Sequence, residues 1–473
     1  MIKASILYIS AILICFNTYA QVKKGGAGSD QKPNVLFIVA DDMNAYNFLK
    51  NYPVLKTPAL DKLVSQSYYF KNATCAAPVC IPSRASFWTG VSPNKTGAYF
   101  NAQNTWQNTI LSTTEVMPET FKKNGYETWA RGKIFHLELN DNREKKMFDN
   151  EIFKGGYGPF GDRQNSYGGN HWMIIQPWTG PDSDFADVKN SDAAVGFLSQ
   201  KHDKPFFMYY GLFRPHSPYT APKRFYDMYK DANIPLPPGY QENDLDDVPP
   251  LGRDLVDSML PYKKAGLTKR QVWIELLKAY CANYSFADWN IGKVLEALDK
   301  SEFAKNTIVV FVSDNGFQNG AKDHWTKSTL WDQSDVIPFL IRLPNGKAYE
   351  CPQTVSLIDI FPTLLEYCGI SGPPHKLDGK SIVPILKNAS AKWDRNGVTF
   401  YGEQYTGVRS ERYRYIRYRD GSEELYDHST DPYEHINLAK NPSMKAVIQQ
   451  LSKSVPASFE KSIGKKGTRN AED

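Results

Sequence analysis

Two uninterrupted apolar runs constrain this chain more than anything else in it. Residues 34–40 (NVLFIVA) and 307–313 (TIVVFVS) have the length of a strand and no polar alternation. A strand with one wet face alternates, so runs of this kind belong to strands covered on both faces, as in a parallel sheet flanked by helices. Residues 206–212 repeat the pattern, and residues 337–343 supply a fourth strand. Helical segments fall between them. Thr57-Pro58 opens one by the N-cap and first-turn rule, with Leu60, Leu63 and Val64 on its apolar face. Glu119 to Asn124 reads as another, stopped by Gly125. Thr268-Lys269-Arg270-Gln271 is a capping box. It starts a long helix with apolar residues at Val272, Leu276, Leu277, Tyr280, Tyr284, Ile291, Val294, Leu295 and Leu298. Strands alternating with helices predict an α/β fold: a large, mixed, mostly parallel sheet sandwiched by helices.

Two regions break the rhythm. Residues 231–266 are rich in Pro, Asp and Gly without periodicity, and a loop of that length inside a compact domain is either disordered or functional. Beyond residue 388, short strands at 399–401, 407–409 and 413–418 precede a polar helix at 443–454. They predict a smaller C-terminal α+β subdomain, 388–473, beside a main domain over 33–387. Residues 1–20 read as a secretory leader, with Lys3, an apolar stretch from Ile6 to Cys15 and a cleavage site at Thr18-Tyr19-Ala20. That stretch is shorter than the ~20 residues of a membrane span. The expectation is an exported protein, periplasmic or secreted, with no membrane anchor. Residues 21–32 form a polar, glycine-rich linker. A formal charge of +5 over 473 residues is too mild to imply nucleic acid and does not oppose an anionic substrate. Cys75, Cys281, Cys351 and Cys368 follow neither a metal pattern nor a small disulfide framework, and a Cys351–Cys368 bridge stays open.

The chemistry gathers at strand ends. Residues 34–40 lead into Asp41-Asp42, and residues 307–313 into Asp314-Asn315-Gly316. In open α/β sheets ligands bind at the carboxyl ends of strands, so the two pairs can converge. Three carboxylates and an amide are hard oxygen ligands, suited to Ca²⁺ or Mg²⁺ rather than zinc. Either pair alone is as readily a helix cap or a turn. Cys80-Ile81-Pro82-Ser83-Arg84 opens a helix that Gly90 closes, which puts residue 80 at a helix N-terminus, where an anion is favoured. The bland reading of Cys80 is a buried structural thiol. Lys133 and His136, three residues apart, read by themselves as solvated surface, and Pro215-His216 closes the 206–212 strand. Arg409, Arg412, Arg414, Arg417 and Arg419 interleave with tyrosines and read as an exposed strand rather than an anion-binding strip.

Cys80, Pro82, Ser83 and Arg84, followed by Thr89-Gly90, resemble the maturation signature of the type I sulfatases of the alkaline phosphatase superfamily. The resemblance runs from Asn34 to about Leu438. It implies an alkaline phosphatase-like fold, and oxidation of Cys80 by a formylglycine-generating enzyme to formylglycine (3-oxoalanine), whose hydrate attacks sulfate esters. It also implies a Ca²⁺ site, with Mg²⁺ as second choice, held by Asp41, Asp42, Asp314, Asn315 and the modified Cys80. The run from Arg131 to His136 is similar to the family's Gly-Lys-x-x-His element, Pro215-His216 to its Pro-His, and Lys327 to its late lysine. By that likeness Lys133 and Lys327 grip sulfate, and Arg84 holds the formylglycine and offsets the carboxylates. His136 then serves the hydrate, and His216 is the acid for the leaving alkoxide.

Within the family the likeness leans to iduronate-2-sulfatases, through Ser83 to Phe87, Phe100-Asn101, Gly132 to His136 and Arg214-Pro215-His216. It marks Asn101, Arg214 and His324 as substrate contacts. Two departures stand near the expected pocket: Arg214 replaces a lysine, and Gly320-Ala321-Lys322-Asp323-His324 replaces a Gly-Glu-His-Gly run. The implied substrate is a sulfated oligo- or polysaccharide, an ulvan-type algal glycan ahead of an iduronate-2-sulfate type glycosaminoglycan. A phosphoester or phosphonate hydrolase on the same fold, and a non-catalytic sugar-binding pseudo-sulfatase, are the other readings.

Overall fold

Seven strands make the central sheet: β1 (Asn34–Asp41), β2 (Tyr68–Thr74), β3 (Glu127–Gly132), β4 (Phe206–Pro215), β5 (Thr307–Ser313), β6 (Phe339–Arg342) and β7 (Tyr349–Ser356). This computed structural model describes residues 32–45, 52–102, 104–107, 109–167, 171–257, 264 and 266–463. The expected leader and most of the linker lie outside them, as does part of the 231–266 segment. The strand order is β7-β2-β6-β5-β1-β4-β3. β1 pairs in parallel with β5 and β4, β4 with β3, and β7 with β2. β6 alone is antiparallel, to β5 and β2. The mixed, mostly parallel sheet is therefore as the apolar runs predict.

β1, β4 and β5 are buried at every residue, which is why they carry no alternation. Successive side chains of a strand point to opposite faces. Leu36, Ile38 and Ala40 enter one core with Leu276, Tyr280 and Ile291; Val35, Phe37 and Val39 enter the other with Phe87 and Trp88.

The covering helices include α1 (Pro58–Val64), α2 (Cys80–Thr89), α3 (Met117–Lys123), α4 (Ala186–Leu198), α5 (Pro250–Asp257) and α6 (Lys269–Lys300). α6 begins at the expected capping box, with Thr268 N–H donating to Gln271 Oε1 at 2.8 Å and Gln271 N–H to Thr268 Oγ1 at 3.3 Å. α5 corrects the reading of 231–266 as loop throughout. Pro250 suits a first turn, and Leu251, Leu255 and Val256 pack against Val248, Tyr418 and Tyr426. Among the described residues no helix is long and apolar enough to cross a membrane. No disulfide joins Cys351 to Cys368.

A second, antiparallel sheet follows in chain order: β8 (Gly397–Phe400), β9 (Thr406–Arg409), β10 (Tyr413–Arg417) and β11 (Glu423–Asp427), with α7 (Lys445–Leu451) behind it. The arginine run is not an exposed strand. Arg412, Arg417 and Arg419 face solvent, but Arg409 and Arg414 are buried. Arg414 donates to Asp332 and to Asp335 at 2.6–2.9 Å, and Arg409 to Asp332 at 3.2 Å. β8 also reaches the segment that leads to Cys80: Thr399 Oγ1 donates to Cys75 O at 2.7 Å, and Phe400 N–H to Ala76 O at 2.9 Å.

Candidate active site

β1 and β5 are hydrogen-bonded neighbours, so Asp41-Asp42 and Asp314-Asn315 emerge side by side. Asp42 turns back at φ +58°, and its N–H donates to Asp314 Oδ1 at 3.3 Å. Asn315 Nδ2 donates to Asp42 Oδ1 at 2.8 Å. α2 brings its first residue to the same place. Cys80 Sγ lies 3.5 Å from Asp41 Oδ1 and 4.0 Å from Asp42 Oδ1. The helix closes at Gly90, whose φ of +69° is the left-handed conformation that glycine tolerates best.

Three cations surround this group, all buried. From the first half of α2, Arg84 Nε donates to Asp314 Oδ2 at 2.9 Å, while Nη1 donates to the carbonyls of Lys133 and Ile134 and to Tyr209 Oη. Lys133, just past β3, places Nζ 2.5 Å from Asp41 Oδ2. Its approach depends on two glycines: a Cβ on Gly132 would fall 1.8 Å from Gly211 O, and one on Gly211 would fall 2.0 Å from Lys133 O. Lys327 Nζ donates to both Asp42 oxygens, at 2.7 and 3.0 Å, and sits 3.1 Å from Cys80 Sγ. His216, at the end of β4, completes the ring with Nε2 3.5 Å from Asp42 Oδ2. Its Nδ1 is 2.5 Å from Ser217 O. A carbonyl only accepts, so Nδ1 carries the proton in the neutral ring and Nε2 offers its lone pair to the site.

Burial and charge set the protonation states. Burial raises the Asp41 carboxyl, but Lys133, His216, Arg84 and Lys327 outweigh it and hold the group well below the usual range. Burial pushes Asp314 up to about 7, with Asp41 assisting and Arg84 opposing. Burial brings His216 down to about 4, against the pull of Asp42. Burial and then Asp41 push the Cys80 thiol well above its ordinary value, so unmodified sulfur here is a neutral thiol and a weak nucleophile. Asp41, Asp42, Cys80 and Asp314 bring ligand atoms within 4.8 Å of one another. Asn315 Oδ1 is buried with no hydrogen-bond partner. Hard oxygens crowded together, one of them orphaned, fit a divalent cation such as Ca²⁺ or Mg²⁺.

The remaining sequence candidates sit differently. Asn101 Oδ1 accepts the Ile81 N–H at 2.8 Å, satisfying a free donor in the first turn of α2. Arg214 is turned inward. Its guanidinium donates to Thr220 O, Thr220 Oγ1 and Tyr157 O, and only 1% of the residue is exposed. That is the arrangement of an internal brace, not of a sugar contact. His324 is buried, with Nε2 2.8 Å from Lys327 O. His136 is half-buried in the turn after Lys133 at φ +68°. Several further side chains support the site. Tyr209 Oη donates to Lys133 O at 2.8 Å, Ser83 Oγ donates to Asp314 O, and Tyr280 Oη donates to Asp42 O at 2.8 Å. Tyr157 packs against His216 and Lys133.

A family model described as sulfatase matches residues 33–370, and one described as N-sulphoglucosamine sulphohydrolase, C-terminal, matches 320–461. The chain is 35% identical over 449 residues to a sulfatase of Formosa agariphila, covering 90% of this chain and 86% of that protein. It is 29% identical to an ulvan-active sulfatase of the same organism, covering 89% and 80%. A solved 2-O GAG sulfatase superposes with a TM-score of 0.70 at 22% identity, covering 89% of this chain and 90% of that one. With the matched model spanning most of its length, the chain belongs to the type I sulfatase family of the alkaline phosphatase superfamily, and its activity is sulfuric ester hydrolysis.

Proposed function

We propose that the protein removes O-sulfate from a sulfated polysaccharide or its oligosaccharides, with an ulvan-type algal glycan as the favoured substrate, and that it acts outside the cytoplasm. The observation that carries the reaction is the placing of Cys80 Sγ 3.1 Å from Lys327 Nζ and 3.5 Å from Asp41 Oδ1, inside a ring of buried opposite charges. The likeness to an ulvan-active sulfatase supports the glycan.

In this reading a formylglycine-generating enzyme oxidises Cys80 to formylglycine, and addition of water to that aldehyde gives a hydrate with a hydroxyl able to attack sulfur. Asp41, Asp42, Asp314, Asn315 and residue 80 would hold a divalent cation, Ca²⁺ for preference, which supplies charge stabilisation and activates that hydroxyl. The chain's own side chains do the rest. Lys133 and Lys327 hold the sulfuryl oxygens, where negative charge develops, and the N-terminus of α2 adds its dipole. Arg84 fixes Asp314 and balances the carboxylates. His216 passes a proton through Nε2 to the leaving sugar oxygen. The ring is neutral in the free site, so it is loaded together with the anionic ester, whose charge favours imidazolium. His136 accepts the proton that lets sulfate leave residue 80.

A panel of defined sulfated oligosaccharides, incubated with the matured protein, tests this by released sulfate and by the position that loses it. Release from ulvan fragments is expected. Release only from glycosaminoglycan fragments moves the substrate to that class. Faster turnover of aryl phosphate or phosphonate esters than of any sulfate overturns the sulfatase reading, and saccharide binding without release makes the protein a lectin-like relative.

A further inference from the structure

Tyr157 is a polar group beside the reaction centre with nothing to bond to. Its hydroxyl is buried and has no hydrogen-bond partner. Its ring centroid lies 4.5 Å from that of His216, and Lys133 Nζ lies 5.2 Å from it, so the phenol spans the two side chains that flank Cys80. Burial, then the negative charge of Asp41, raises the phenol well above its ordinary value, so it remains a neutral donor. A buried donor without an acceptor is destabilising. The surrounding structure nevertheless holds it in place. Arg214 Nη2 donates to Tyr157 O at 2.7 Å, and Thr220, itself bonded to Arg214, donates to Pro159 O at 2.6 Å.

An aromatic row leads outward from that phenol. Tyr157 meets Trp172 edge-on at 5.1 Å, and Trp172 meets Phe160 at 5.5 Å. Phe160 is 47% exposed, unusual for a large apolar side chain. A row that is polar at its buried end and apolar along its length suits a sugar ring whose sulfate points inward and whose C–H face lies on the aromatics.

We propose that Tyr157 is a further substrate-contacting catalytic residue, its hydroxyl donating to an oxygen of the bound sulfate ester, and that Tyr157, Trp172 and Phe160 form the subsite for the sugar bearing that ester. This rests on the sulfatase reading above. Arg214, braced on Tyr157 O, is then a positioning residue for the subsite.

The test uses the matured full chain with an aryl sulfate, a sulfated oligosaccharide and inorganic sulfate as inhibitor. Tyr157→Phe keeps the ring and removes only the donor. It is expected to lower kcat/KM by about 10–100-fold on both esters and to raise the inhibition constant of sulfate comparably, with the unfolding temperature raised rather than lowered because the unpartnered donor is gone. Phe160→Ala is expected to raise KM for the oligosaccharide several-fold more than for the aryl ester. Kinetic constants within twofold of wild type for Tyr157→Phe overturn the hydroxyl contact, and equal KM changes for Phe160→Ala overturn the subsite. A sulfate-bound crystal structure of Cys80→Ala decides independently of how Tyr157→Phe folds. A sulfate oxygen ~2.5–3.0 Å from Tyr157 Oη is expected, and one beyond hydrogen-bond reach overturns the contact. Wild-type protein that releases sulfate from no ester refutes the parent reading instead.

Discussion

Two buried knots of charge among the described residues differ in where the positive charge sits. One is the group around Asp41, Asp42, Cys80 and Asp314; the other joins Asp332, His428 and Glu434 beneath the second sheet. In both, potential ligand atoms gather within 4.8 Å. In the second, guanidinium groups reach every one of those residues. Arg414 contacts Asp332 and Glu434, and Arg409 contacts Asp332 and His428, so the space among them is already held by fixed cations. In the first, Lys133 and Arg84 each bind one oxygen of Asp41 and Asp314, Asn315 Oδ1 is left over, and Asp314 is pushed towards neutrality. Buried mixed charge is therefore no sign of function by itself. An arginine fork closes a cluster, whereas lysines at its edge leave room for a ligand.

The largest effect expected separates the two knots outright. Cys80→Ala should cut sulfate release by on the order of 10⁴–10⁶-fold, as loss of a nucleophile does, with the melting temperature preserved. Turnover within tenfold of the matured enzyme would contradict the role assigned to residue 80. Next comes His216→Ala, expected to slow sugar sulfates ~10²–10⁴-fold, because a sugar alkoxide needs a proton, and aryl sulfates far less. A leaving-group series reads this directly, and equal losses across it would move the acid role to another residue.

Arg414→Met probes the second knot. Leaving Asp335 buried without its guanidinium, and Asp332 with Arg409 and His428 alone, should destabilise the fold by ~3–5 kcal/mol, measured by denaturant, while the folded fraction keeps its kcat. Neutralising all three at once, with Asp332→Asn and Asp335→Asn added, should recover much of the loss. Burial works to raise Asp332, but Arg409, His428 and Arg414 outweigh it and hold the carboxyl far below the usual range. A depressed carboxylate contributes stability that is present above its unfolded value, about 3.9, and lost as pH falls through its folded value. The acid-unfolding midpoint of Arg414→Met should therefore lie at higher pH than that of wild type. The smallest effect is chelation. Stripping a cation bound at a hundredfold excess over Kd should cost ~2.7 kcal/mol, restored by Ca²⁺. Cys80→Ala should show most of that shift, and a variant lacking Asp314 none of it.

The two knots also differ in how well they read in the sequence. Asp41-Asp42 and Asp314-Asn315 each end an apolar run, so knowing the strands brings the pairs together. Cys80 is legible because its helix start is local, from Pro82 to Gly90. Arg414 stays hidden because its partners Asp332 and Asp335 lie some eighty residues upstream, and β10 turns that side chain inward to meet them. Tyr157 sits in a Gly-Tyr-Gly segment without periodicity, 59 residues before His216, and only the fold brings the rings together. Arg214 has neighbours in sequence that mark a site, but its own bonds, to Thr220 and to the Tyr157 carbonyl, are visible only in the fold. The helix in 231–266 escapes notice because Pro250 and Gly252 look like breakers, although the proline sits in the first turn.

Thr399 of β8 reaches back to the carbonyl of Cys75, across 324 residues of chain. On a ribosome adding about 5–20 residues per second, the partner that closes this part of the core arrives roughly 15–65 seconds after the thiol segment has been made. Once it has, Cys80 is 0% exposed and no other enzyme can touch it. If residue 80 is to become formylglycine, its oxidation therefore has a deadline set by the length of the polypeptide, and a faster-folding variant would keep residue 80 as a thiol.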